Sequence, residues 1–144
     1  MKSAHLTILS RTEKLKSVRD FVAAEATAFG FDEETVNKIS IAVDEACTNI
    51  IKHSYEFAKD KSIDITISTK KEQFEIVIAH DGKTFNPDAV EQPDMKEYLT
   101  HYRRGGLGMH LMRSLMDRVE YAVKNGKRSE VRLLKFLPLK VRRS

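Results

Sequence analysis

A chain of 144 residues with 41% hydrophobic content is long enough to bury one core, so residues 1–144 are expected to form a single domain. No apolar run approaches a membrane span and residues 1–10 carry no secretory leader pattern, so neither a membrane protein nor an exported one is expected. The net charge of +4 is local: residues 124–144 hold eight Lys or Arg against Glu130, a +7 that leaves −3 for residues 1–123, so residues 138–144 read as a solvated basic tail and direct nucleic-acid contact is not expected.

Residues 4–10 (AHLTILS) alternate, with His5, Thr7 and Leu9 on one parity and Leu6 and Ile8 on the other, which predicts a short strand. From Arg11 to Phe29 the apolar positions Leu15, Val18, Phe21, Val22 and Phe29 follow helical spacing, and Gly30 stands where helices commonly end. Asp32 is placed to cap a second helix, with Glu33 and Glu34 in its first turn at the positive end of the helix dipole. That helix is predicted to run to about Tyr55, with Val36, Ile39, Val43, Ala46, Cys47 and Ile50 inward.

SIDITIST (62–69) and QFEIVIA (73–79) predict a hairpin, and HDGKTFNP (80–87) a turn. Residues 88–104 are polar and read as a loop. A helix is predicted from about Gly106, with Leu107, Leu111, Leu115 and Met116 inward. Strands at 119–123 and 130–137 follow, joined at Asn125-Gly126. The order βααββ–loop–αββ predicts an α+β two-layer sandwich: a mainly antiparallel, mixed sheet with helices on one face.

The single cysteine, Cys47, has no partner to bridge and lies on an apolar stripe, which suits a reducing cytoplasm. One Cys and five scattered His offer no zinc-ligand spacing.

Three features suggest chemistry. Glu45 and Asn49 lie four apart on the second helix, neighbours at about 6 Å between Cβ atoms. Alone, the pair reads as a helix edge reaching solvent. Gly105 to Gly108 (GGLG) opens the third helix behind Arg103 and Arg104. Glycines there let backbone N–H groups approach a phosphate, and arginines suit its oxygens. Neither a Walker loop nor a dinucleotide fingerprint is present, and a lone glycine turn is usually only a turn. The third feature is His80-Asp81-Gly82, where glycine permits a sharp bend.

In this order the three resemble the small Bergerat-fold, histidine-kinase-like ATPases, and among them the anti-sigma-factor serine/threonine kinases. The resemblance spans nearly the whole chain and rests on AVDEACTNIIKHSY (42–55), HDGKTFNP (80–87) and RRGGLGMHLMRSLMDRVEY (103–121). It implies ATP and Mg²⁺ as cofactors, with Asn49 the magnesium ligand and Glu45 the general base toward a serine or threonine hydroxyl of a partner. It further implies that Gly105, Gly106, Leu107 and Gly108 cradle phosphates, that Arg104 flanks the γ-phosphate, and that residues 86–105 form an ATP lid. The implied partners are an anti-sigma-factor antagonist of the STAS type and a sigma factor. Homodimers are common in this family. The competing reading, drawn from His80, is a regulatory interaction module of the same fold with weak or no nucleotide turnover.

The first glycine box of the family reads Asp-x-Gly, its Asp accepting the adenine amino group. Aligned on Gly82, that position is His80, and Asp81 falls between. Strand parity agrees, since residue 80 continues the face of Phe74, Ile76 and Ile78. Three outcomes stay open: His80 accepts through an unprotonated ring nitrogen, a bulge turns Asp81 inward, or nucleotide affinity is low. A fourth and plainer reading makes His80 a turn residue only.

Overall fold

The computed structural model describes residues 2–81, 111–124 and 128–138. Strand β1 (Lys2–Leu9) leads through a single 3-10 turn (Thr12–Lys14) into α1 (Leu15–Phe29). Helix α1 stops where Gly30 takes φ 118°, a left-handed conformation that glycine adopts without a Cβ penalty. Helix α2 (Glu33–Asn49) begins at Asp32, whose side chain accepts the Thr35 N–H at 2.8 Å. A π-helical turn (Ile50–Ser54) prolongs α2. Strands β2 (Ser62–Lys70), β3 (Gln73–Asp81), β4 (Arg118–Lys124) and β5 (Arg128–Phe136) complete the sheet, and residues 111–115 are helical.

The sheet order is β1-β2-β3-β5-β4 and every pairing among the described strands is antiparallel, so the mixed sheet of the sequence reading gives way to a purely antiparallel one. One face packs on the helices. Ile63, Ile65, Ile67, Phe74, Ile76, Ile78 and Leu133 meet Val18, Val22, Ile39 and Val43 in one buried cluster. Phe29, Phe31 and Phe74 close one end of it, with ring centroids 5.5 Å apart in each pair. The opposite face is polar. There Thr7 donates to Asp64 at 2.6 Å, Arg128 binds both Asp64 and Asp81, and Arg132 stands 3.5 Å from Glu75. A face laced with charges in this way favours water over a second layer.

Three expectations are corrected. The first two residues of the turn predicted at HDGKTFNP belong to β3 instead, which keeps its register with β2 and β5 through His80 and, with β5, through Asp81; residues 82–87 lie outside the described residues. Leu111 is exposed, and Met112 is fully buried in its place. Met116 is buried and Leu115 packs partly against the core, as expected, while Met112 and Met116 form the buried i, i+4 pair; a run as apolar as LGMHLMRSLM supports two adjacent stripes, and packing selects between them. The second helix winds regularly only to Asn49, then widens. Its end at Ser54, with Tyr55 as the cap, falls where expected, and Glu56 and Phe57 then take φ of 48° and 65°, left-handed values that cannot continue a right-handed helix. The lid at 86–105 and the basic residues 139–144 lie outside the described residues.

Candidate functional site

Helix α2 sets the first two groups. Cys47 and Ala46 face the core, which turns Asp44 outward, where Arg19 of α1 donates to it at 2.7 Å. Glu45, next along, is half-buried. Burial pushes its carboxyl above the usual carboxylate range, the neighbouring Asp44 charge adds to this, and Lys52 pulls the other way. Asn49, one turn on, is buried at 7% exposure.

Strand β3 brings the third. His80 is buried, on the same parity as Phe74, Ile76 and Ile78, as its alternation predicts. Asp81 points the other way, to the polar face, and pairs there with Arg128 at 3.2 Å. The unbroken register leaves no bulge to bring it inward, so of the two candidates His80 alone turns to the helices. Gly82, Arg104, Gly105, Gly106, Leu107 and Gly108 lie outside the described residues.

Asn49 and His80 meet in one pocket of about 100 Å³ between α2, its π-turn and the β3–β5–β4 end of the sheet. Its described lining is mostly apolar, with Ala46, Ile50, Val123 and Val131, and it carries no Lys or Arg. Glu45 is not part of that lining; it stands one helical turn from Asn49 along α2. The polar lining residues Ser54, Tyr121, Ser129 and Glu130 escaped the sequence reading, and the two serines face the pocket for different reasons. Ser129 sits directly across from His80 in the β3–β5 register, and Ser54 ends the π-turn. Ser129 had a partly legible signal, standing at the inward parity of Val131 and Leu133. Ser54 had none, because a regular helix carries position 54 elsewhere.

Tyr55 ties these elements together. Its hydroxyl donates to the Ser62 carbonyl at 2.6 Å and accepts the Asp81 N–H at 3.0 Å, and its ring meets His80 edge-to-face at 5.6 Å between centroids. Burial pushes the phenol up, with the Asp81 N–H pulling it down, so it remains protonated and able to donate. Tyr55→Phe keeps the ring but leaves two backbone groups without their partner. Its expected cost is roughly 1–3 kcal/mol, read as a lower denaturant midpoint at unchanged slope; an unchanged midpoint refutes the clamp.

With this geometry in place the relatives can be compared. The pattern of the histidine kinase-like ATPase domain matches residues 8–135. The serine-protein kinase RsbW of Bacillus subtilis is 28% identical over 137 residues, 92% of this chain and 84% of that protein. The serine-protein kinase RsbW of Bacillus pumilus is 30% identical over 139 residues, with the same shares. Among solved structures, the RsbU and RsbW domains of a Mycobacterium tuberculosis protein superpose with a TM-score of 0.67 at 14% identity. That match covers 95% of this chain but only 33% of the other, and it speaks for the fold alone. The antiparallel sheet, the helix carrying Glu45 and Asn49, and these matches together place the chain in the histidine kinase-like ATPase domain family, among the serine-protein kinases of the RsbW kind.

Proposed function

We propose that the chain transfers the γ-phosphoryl group of ATP to a serine or threonine hydroxyl of a small regulatory protein, an anti-sigma-factor antagonist of the STAS type. In its other binding mode it sequesters a sigma factor. The observation that carries the reading is the meeting of Asn49 and His80 in one largely apolar pocket, with Glu45 a single helical turn away. An aromatic base suits such a lining, and a pocket without described cations suits the uncharged end of a nucleotide.

The phosphates then lie toward Asn49, and the residues 104–108 are assigned to them by their resemblance to the family's glycine box. The donor set fits Mg²⁺. The Asn49 amide oxygen is a hard neutral ligand, and among the described residues no group of three His, Cys, Asp or Glu is gathered to hold another ion. When bound, Mg²⁺ supplies positive charge against the phosphate oxygens. Glu45 orients the incoming hydroxyl and takes its proton, a role that its raised affinity for protons suits. His80 with a neutral ring presents one nitrogen able to accept from the adenine amino group. A cytoplasmic setting agrees with Cys47, fully buried, its thiol pushed up to about 12 by burial and then by Asp44, and so inert.

The test is direct. Purified chain, γ-labelled ATP, Mg²⁺ and a STAS-type antagonist are expected to give label on serine or threonine of the antagonist. Label retained wholly in ATP overturns the kinase reading. Sedimentation of the same preparation decides whether the working unit is the homodimer common in the resembled family.

A further inference from the structure

The π-turn at the end of α2 moves a side chain into the pocket. In a regular helix each residue advances 100°, so position 54 stands about 140° around the axis from position 49. Here the chain closes an i to i+5 bond, the Tyr55 N–H to the Ile50 carbonyl at 2.8 Å, and the winding is wider. Asn49 and Ser54 consequently line the same pocket. Ser54 is 5% exposed, and its Oγ has no hydrogen-bond partner among the described residues. A buried hydroxyl left without a partner costs folding stability. A residue that weakens the empty fold while lining a pocket calls for a partner that arrives with a ligand.

We propose that Ser54 Oγ is a specificity-determining contact to the purine ring of the bound nucleotide, placed there by the π-turn. The inference rests on the nucleotide-pocket reading above and names a residue within it. The pocket's chemistry selects the base over the phosphates. Its described lining has no Lys or Arg, and its remaining polar side chains, apart from Glu130, are uncharged ones such as Ser129. A hydroxyl both donates and accepts, so Ser54 can serve either the amino group or a ring nitrogen of adenine. Where His80 stands in place of a carboxylate, a second uncharged polar contact restores part of the base recognition.

The experiment compares wild type with Ser54→Ala by calorimetry and thermal melting, using Mg-ATP and, as a base-free probe, Mg-tripolyphosphate. The loss of one neutral hydrogen bond is expected to weaken Mg-ATP binding by roughly three- to tenfold and to leave tripolyphosphate binding unchanged. The nucleotide-free variant is expected to melt at or above the wild-type temperature, because an unpartnered hydroxyl has been removed. Equal ATP affinities in the two proteins overturn the contact. Parallel losses for ATP and tripolyphosphate overturn the assignment to the base. Should wild type itself fail to bind ATP, the nucleotide reading falls and the contact with it. Binding by wild type with no effect of Ser54→Ala removes this inference alone.

Discussion

Replacing Glu45 with glutamine is expected to lower phosphoryl transfer by roughly 10²–10⁴-fold, the usual contribution of a general base, while Mg-ATP affinity stays within about twofold. Glutamine keeps the shape and can accept a hydrogen bond, but it cannot take a proton. Nucleotide affinity is spared because Glu45 is not part of the described pocket lining and stands a helical turn from Asn49. Single-turnover transfer to the antagonist, beside calorimetry with ATP, separates the two quantities. Equal losses in both would move Glu45 from the reacting hydroxyl to the nucleotide.

The pH profile gives the same assignment a second reading. A base works ionised, so activity is present above its pKa and fades as pH falls through it. Burial first, and the Asp44 charge second, raise that pKa. The acid limb of kcat/KM is therefore expected above the position of an ordinary glutamate. Asp44→Asn removes one raising charge and shifts the limb to lower pH; Lys52→Gln removes a lowering charge and shifts it to higher pH. Arg19 loses its partner in the first variant, but it is half-exposed and water replaces the pair at little cost. A limb that ignores both substitutions belongs to another group.

Much of this frame was legible residue by residue. Alternation in SIDITIST and QFEIVIA predicts β2 and β3 to within two residues at any end, and the same parity correctly sends His80 inward and Asp81 outward. The Asp32 cap and the Gly30 stop were visible because each answers a local backbone need. What stayed hidden depends on long-range pairing or on departures from ideal winding. The inward parity of Ser129 was legible, but its place opposite His80 follows only from the β3–β5 register, which no local pattern specifies. Met112 displaced Leu111 because both stripes are apolar and packing chose between them. The π-turn left no trace, since IIKHSY reads as an ordinary continuation of α2, and Ser54 went unnoticed with it.

Asn49→Ala is expected to weaken ATP binding by roughly ten- to hundredfold when Mg²⁺ is present and to change it little when EDTA removes the metal. The contrast matters more than the loss. Asn49 is buried at the last residue of α2, so a purely structural role would weaken binding with and without metal alike. Alanine is itself a strong helix former, and the substitution leaves the start of the π-turn intact in backbone terms. Asn49→Asp restores an oxygen at the same place and is expected to recover Mg-dependent binding, since a carboxylate is also a hard ligand for this ion. Wild type and Asn49→Ala showing the same gain in affinity on adding Mg²⁺ would detach Asn49 from the metal. The assignment of the phosphate end would then rest on the family resemblance of residues 104–108 alone, and the polar pair on α2 would need a different explanation.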